Sequence, residues 1–168
     1  NAFDSCTFLE IVTIPQSVNN IYQYAFNNCT NLKSIELPEK ITRIESNCFY
    51  GCSNLLTIVI HGQITDIGDQ AFCGCTILEN IEFTTHLIRL AKDQELIKFQ
   101  ESLETIGIRA FSGCERIKSI EIPKGVTNIK RETFSNCTSL SSFSLHPDVY
   151  IIEERAFYNC SDLVDISL

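Results

Sequence analysis

Apolar residues recur along this chain at fixed distances from a repeated cysteine. Counted from Cys29, they fall at +3, +6, +8, +12, +15 and +20, which are Leu32, Ile35, Leu37, Ile41, Ile44 and Phe49. The cysteine recurs 23 residues later in every interval but one, at Cys6, Cys29, Cys52, Cys75, Cys114, Cys137 and Cys160. A fixed period of this length is typical of a solenoid, in which stacked units bury apolar faces that no single unit can bury alone.

The apolar pair at +6 and +8 predicts one short strand in each unit. Its members are two residues apart and lie between polar residues at +5 and +7, as in the stretch Ser34–Leu37. Stacked copies of this strand would pair in parallel about 4.8 Å apart and direct +5 and +7 outward. Position +9 is proline in three units, and proline marks the strand's end because it has no N–H for the ladder.

The segment from +17 to +21, such as Asp69–Cys73, predicts one helical or 3-10 turn on the outer side of each unit. Position +22 is Gly or Asn in every unit except the first, where it is Ser5. Gly and Asn accept the left-handed backbone conformation that ends a helical turn. The predicted fold class is therefore an α/β-type repeat solenoid, with a parallel sheet on one side and short helical or 3-10 turns and irregular segments on the other.

The fourth interval between the recurring cysteines contains 39 residues instead of 23. We place Phe83 at +8 and Leu103 at +12 of this unit, so that residues 84–102 form an insertion. Its apolar residues make two short blocks around Lys92-Asp93-Gln94, which favours a β-hairpin over a helix. We expect these blocks to pack on the flank of the solenoid; the alternative is contact with a partner or a second copy.

The pattern L-x-x-I-x-I-P-x-x-V-x-x-I-x-x-x-A-F-x-x-C, which runs from Ile117 to Cys137, resembles the BspA-like leucine-rich repeats, and so does the 23-residue period. The resemblance implies a right-handed leucine-rich-repeat coil with a concave parallel β-sheet. It implies one domain over residues 1–168, of about six to seven units truncated at both ends. It also implies a surface protein of bacteria or parasitic protists that binds host or matrix proteins, without catalytic residues. The chain departs from the pattern at the proline position, by His61, Thr84 and His146, and at the alanine position, by Cys48 and Thr133.

Composition narrows the class of partner. The chain has 13 Lys and Arg against 21 Asp and Glu, a net charge of −8, so most of its surface would repel phosphate backbones and nucleic acid is not an expected partner. No apolar run approaches the roughly 18 residues that a membrane span needs, so we expect no membrane insertion of this segment. The sequence begins inside a repeat and has no methionine. It is therefore interpreted as a piece of a longer protein, and the missing signal peptide says nothing about secretion.

The cysteines and histidines are the candidates for site chemistry. Seven of nine cysteines occupy one column of the repeat, so they are expected to pack as free thiols. Cys73-x-Cys75 lacks a second pair at zinc spacing, which argues against a metal or any other cofactor. A disulfide between Cys73 and Cys48 is the alternative, because both flank the outer turn. His61 and His146 are expected to be surface residues without a nucleophile beside them, so we predict no enzyme and no catalytic residue.

The outward side of the predicted strands is the expected binding surface, because one face of a solenoid sheet is an extended platform. It is polar, with an acidic line through Glu36, Glu82 and Glu121. The alternative for any one residue is a merely solvated strand position. The predicted partner-binding residues of this concave face are Thr13, Ser34, Glu36, Thr57, Val59, Asn80, Glu82, Ser119, Glu121 and Ser144.

The sequence thus predicts a non-enzymatic protein-binding module, a fragment of a surface adhesin or recognition protein that is cell-surface or secreted. The alternatives are a structural spacer and an intracellular scaffold array in the cytoplasm. Self-association through the uncapped ends or the insertion is a further prediction, because terminal units expose residues that inner units bury.

Overall fold

Short parallel strands, stacked in two columns, make up the regular structure of the chain. The computed structural model describes residues 1–83 and 96–167. Within them the strands are, in chain order, β1 (Ser34–Leu37), β2 (Arg43–Ile44), β3 (Thr57–Ile60), β4 (Asp66–Ile67), β5 (Asn80–Phe83), β6 (Leu96–Lys98), β7 (Thr105–Ile106), β8 (Ser119–Glu121), β9 (Asn128–Ile129), β10 (Ser142–Ser144), β11 (Ile151–Ile152) and β12 (Asp165–Ser167).

The first strand column contains two parallel sheets, ordered β1-β3-β5 and β6-β8-β10-β12. Its register advances by one unit at each step, so that Ile35 lies beside Ile58 and Ile58 beside Ile81. These are +6 positions, and the predicted strand in each unit is confirmed from the second unit onward. In the first unit Ile11 makes a single parallel bridge to Ser34. The chain is therefore a parallel β-solenoid.

The second strand column consists of β2-β4-β7 and β9-β11, at positions +14 and +15 of each unit. It was not predicted from the sequence. Arg43 lies beside Asp66 and Ile44 beside Ile67 in this column, so each of these two strands has one polar residue and one buried isoleucine. The core consequently lies between two walls of short strands.

The core is filled by the predicted apolar positions. Phenylalanines at +20 form one continuous stack from Phe3 to Phe157, with neighbouring ring centroids 5.2 to 5.7 Å apart and ring planes within 13°. The leucines and isoleucines at +3, +6, +8, +12 and +15 of the middle units are buried around this stack. Each buried side chain of this size contributes about 1.5–3 kcal/mol relative to an exposed one.

The outer side of each unit contains no helix within the described residues, so the predicted helical or 3-10 turns are not confirmed. The physical reason lies in the backbone hydrogen bonds. Alternate N–H groups leave the turn to bind the next unit, as Phe26 does by donating to the Cys48 carbonyl at 2.9 Å. The N–H groups between them stay within the turn, as Asn27 does by donating to the Tyr24 carbonyl at 3.3 Å. Beyond its first turn a helix bonds its N–H groups internally, whereas here every second N–H group joins the next unit.

Two positions in each outer turn have left-handed backbone. Position +22 does so in all seven units, with φ from 54° to 76°, which confirms the prediction and extends it to Ser5. Position +18 was not predicted, and its φ lies between 55° and 60°. Left-handed residues four positions apart prevent a right-handed helix from continuing through the turn. The residues at +18 are Tyr24, Asn47, Gln70, Arg109, Glu132 and Arg155.

The long fourth unit contributes two strands to the first strand column. β5 pairs with β3 on one side, and β6, which lies within the predicted insertion, pairs in parallel with β8 on the other. On the outer side the units stack without interruption, because the ring of Phe72 lies 5.3 Å from that of Phe111. The first block of the predicted hairpin, residues 87–91, lies outside the described residues. The second block forms β6 and is followed by Phe99, which is buried.

Candidate functional site

The strand face is the outward side of the first strand column, made by positions +5 and +7. Burial alternates along these strands, so that in β1 and β3 every second side chain points away from the core. All ten predicted binding residues lie at the surface. Those that are exposed are Thr13, Ser34, Glu36 and Glu82; those that are half-buried are Thr57, Val59, Asn80, Ser119, Glu121 and Ser144.

The structure brings these residues together in two separate groups. In the first sheet Ser34, Thr57 and Asn80 form one cross-strand row, and a second row runs from Glu36 through Val59 to Glu82. In the second sheet Ser119 lies beside Ser142, and Glu121 lies beside Ser144. Thr13 precedes the first strand and belongs to neither group. The strand face is thus composed of two polar platforms, one on each sheet.

The predicted acidic line is divided in the same way. Glu36 and Glu82 occupy one row, whereas Glu121 lies in the other sheet and has Lys98 as its register partner on β6. Glu36 is also engaged by a histidine, because His61 Nε2 lies 2.5 Å from Glu36 Oε1. The sequence predicted His61 at the surface but not this contact. The available signal was a histidine at +9, which stacking places next to the +7 residue of the unit before.

An exposed apolar residue beside the strand face was also missed. Leu56 immediately precedes β3 and is 40% exposed, while its counterpart in the preceding unit is Lys33. Lys33 forms an ion pair with Glu10 at 2.6 Å. The +4 position was not considered in the sequence because it flanks the strand. The +4 residues of the two neighbouring units, Lys33 and Glu79, are charged, and Leu56 between them is the signal that could have identified this position.

The recurring cysteines form a hydrogen-bonded ladder in the core. Each thiol from the second unit onward donates to the carbonyl of the phenylalanine that lies three residues before the preceding cysteine of the column, at 3.0 to 3.3 Å. Burial raises the pKa of the Cys52 thiol to about 12 and raises the pKa of Cys75 and Cys114 as well. These groups stay protonated, so they are donors within the fold and not nucleophiles.

The two remaining cysteines are free thiols in different environments. Cys48 flanks the outer turn, but its side chain is 1% exposed and lies in the core, because +19, usually alanine in this repeat, points inward. The alternative disulfide with Cys73 does not form. Cys73 is half-buried, and burial raises the pKa of its thiol despite a hydrogen bond with Ser112.

Polar clusters support the second strand column and lie away from the strand face. Asp66 accepts hydrogen bonds from the hydroxyls of Thr105 at 2.6 Å and Thr65 at 2.7 Å. Partial burial opposes ionisation of Asp66, but these bonds and the nearby Arg43 outweigh it and lower its pKa. Polar groups whose hydrogen-bond partners all lie within the protein are typical of structural clusters.

Within residues 1–83 and 96–167, no three His, Cys, Asp or Glu side chains come together in a way that could hold a metal ion. Nor does that part of the chain contain a helix long and apolar enough to cross a membrane.

Comparison with known proteins covers the whole chain. Residues 1–94 and 91–168 match the BspA type leucine rich repeat region, in six copies. A leucine-rich repeat protein from Bacteroides ovatus is 25% identical and superposes with a TM-score of 0.68, covering 95% of this chain and 45% of that one. The T. pallidum leucine-rich repeat protein is 25% identical, with a TM-score of 0.62 over 87% of this chain and 72% of that one.

A leucine-rich repeat protein from Eubacterium ventriosum shares the fold at 21% identity, with a TM-score of 0.64 over 81% of this chain and 32% of that one. The chain thus spans less than half of the Bacteroides ovatus structure. No curated protein matches it.

Proposed function

Because the chain belongs to the BspA-type leucine-rich repeat family, we propose that it is a non-enzymatic protein-binding module that uses its strand face. The observation that carries the proposal is the in-register display of outward polar side chains across neighbouring strands, such as Ser34, Thr57 and Asn80. Hydrogen-bonded strands hold these groups in fixed positions before a partner arrives. Pre-organisation of this kind lowers the entropy lost on binding.

The proposed partner is a protein with a basic or polar surface. The strand face carries glutamates and hydroxyl groups, and the net charge of −8 disfavours nucleic acid. We place the module in an adhesin or recognition protein at the cell surface or in secreted form; a cytoplasmic scaffold is the alternative location. The proposed binding residues remain the ten named on the strand face.

The test is a capture experiment with matched charge changes. The immobilised chain is incubated with solubilised matrix and cell-surface proteins, and retained proteins are identified by mass spectrometry. The variant E36K/E82K/E121K changes the strand face, whereas E104K/E115K/E154K makes the same change in net charge at exposed positions outside it. We expect the first variant to lose specific capture and the second to retain it, with the same unfolding temperature for both.

A structural spacer is the second candidate function, favoured by the outer-turn hydrogen bonds that join each unit to the next. In a spacer the strand face would have no partner of its own. If the strand-face variant and the control variant capture the same proteins with equal yield, the binding proposal fails and the spacer is favoured.

A further inference from the structure

We propose that the partner binds the strand face at one row of residues, Glu36, Val59 and Glu82. The partner contacts this row with a lysine or arginine side chain. This inference rests on the function proposed above and specifies its chemistry. We call these three residues the Glu-Val-Glu row.

The geometry of the row favours a cation with an apolar stem. Glu36, Val59 and Glu82 are direct register partners on β1, β3 and β5, and all three point outward. Parallel strands lie about 4.8 Å apart, so the two glutamates are separated by about 10 Å with valine between them. A lysine or arginine buries its methylene stem along apolar surface and keeps its charged head beside polar groups. Val59 provides the surface for the stem, and the flanking carboxylates accept hydrogen bonds from the head.

Within the described residues, the negative charge of Glu82 is not neutralised by an ion pair, whereas the charge of several glutamates elsewhere on the molecule is. Other glutamates pair with strong cations of the chain itself, as Glu79 does with Arg116 at 3.0 Å and Glu132 with Arg109 at 2.7 Å. Within residues 1–83 and 96–167 no ion pair involves Glu82, which is exposed. A cation supplied by a partner therefore finds its counter-charge at Glu82.

The second sheet has a different residue beside its +7 glutamate. Glu121 on β8 has Lys98 of β6 as its register partner, whereas Glu82 on β5 has Val59 of β3. Two glutamates that flank a valine occur in the first sheet, so we assign the site to β1, β3 and β5.

The two glutamates of the row are not equivalent. His61 Nε2 lies 2.5 Å from Glu36 Oε1, which leaves the other carboxylate oxygen of Glu36 for a partner. Within the described part of the chain, no hydrogen bond or ion pair uses the carboxylate oxygens of Glu82. Glu82 is accordingly the main anchor, and Glu36 is the secondary one.

The experiment uses the whole chain and a defined probe. A fluorescein-labelled decapeptide of alternating lysine and glycine is titrated with the protein, and its dissociation constant is measured by fluorescence anisotropy. The same peptide with acetylated lysines tests the need for positive charge. The variants are E82Q, E36Q and V59T, with E104Q and E115Q as controls that each remove one negative charge at an exposed position outside the strand face. Circular dichroism and thermal unfolding verify that each variant is folded.

The expected result is binding of the lysine peptide and not of its acetylated form. E82Q should weaken binding about tenfold, because a charge-assisted hydrogen bond is lost. E36Q and V59T should weaken it by less, while E104Q and E115Q leave it within about twofold of the parent, since removal of a distant exposed charge changes little. Equal weakening by E82Q and E104Q, or no binding of the lysine peptide, would overturn the proposal.

The peptide titration and the capture experiment can distinguish failure of the Glu-Val-Glu proposal from failure of the proposed function. If E36K/E82K/E121K abolishes protein capture while E82Q and V59T leave the lysine peptide bound as before, the strand face binds a partner but the Glu-Val-Glu row is not the site that contacts its cation. If the triple variant leaves capture unchanged, the proposed function itself fails.

Discussion

The thiol of Cys75 donates a hydrogen bond to the carbonyl of Phe49, 26 residues earlier in the chain, at 3.1 Å. The same carbonyl accepts the N–H of Cys52 at 3.2 Å. Donors from two successive units therefore meet at one backbone oxygen. A cysteine in this column is more than a small apolar residue, because it satisfies a buried acceptor and joins two units.

Removing this donor should destabilise the fold. We expect Cys75→Ala to lower the free energy of unfolding by about 1–3 kcal/mol, through the lost thiol bond and the small void left in the core. The measurement is urea denaturation followed by circular dichroism. Cys6→Ala is the control, because Cys6 occupies the same column but is exposed. Equal stability of the two variants would show that the thiol bond contributes nothing.

The phenylalanine stack should dominate the stability of the middle units. Phe72 is fully buried between Phe49 and Phe111, so Phe72→Ala should cost about 3–5 kcal/mol. Phe8→Ala makes the same chemical change at a side chain that is 91% exposed, and it should cost little. Urea denaturation of both variants measures the difference. An unchanged midpoint for Phe72→Ala would mean that the side chain lies outside the core.

The left-handed turn at +22 should tolerate asparagine better than alanine. Gly74 has φ of 75°, and an added Cβ would meet nothing closer than the Gly51 backbone at 3.6 Å. Conformation and not space therefore sets the cost, so Gly74→Ala should destabilise by about 1–2 kcal/mol. Gly74→Asn should cost less, because asparagine adopts this conformation at Asn28 and Asn136. Thermal unfolding compares the two; equal losses would refute a conformational origin.

Alkaline pH should weaken the fold through the buried thiols. The pKa of Cys52 is raised from 9.0 to about 12, mainly by burial, so the folded protein keeps a proton that the unfolded chain releases. The contribution is fully present below pH 9 and is lost as pH rises toward 12. Urea midpoints at pH 8 and pH 10 should differ, with the lower value at pH 10. Cys52→Ala should reduce this difference, and an undiminished difference would place its cause in other groups.

The strands, the core and one of the two left-handed positions were predictable because each has a local signal in the sequence. Ile35 and Leu37 alternate with polar neighbours, and Gly or Asn at +22 carries its own conformational preference. The second strand column has only two residues in each unit, which is too short for an alternating pattern. The predicted helical turn is not confirmed in the described residues, because hydrogen bonds between units, such as that from Phe26 to Cys48, determine the outer backbone.

The sequence was sufficient to predict the strand face, but not its division into two groups of residues on separate sheets. The period alone places Glu36, Val59 and Glu82 at equivalent positions. It does not show that Glu36 meets His61, since that contact joins +7 of one unit to +9 of the next. Nor could the period place β6, whose residues lie in an insertion and so fall outside the count from the cysteines.

The most direct test of the strand face as a binding surface is an NMR titration of the ¹⁵N-labelled chain with the lysine–glycine peptide. The account predicts that amide shift changes concentrate on Ser34–Leu37, Thr57–Ile60 and Asn80–Phe83, the three strands that carry the Glu-Val-Glu row. Shift changes concentrated instead on the second strand column, at Arg43–Ile44 and Asp66–Ile67, would contradict it.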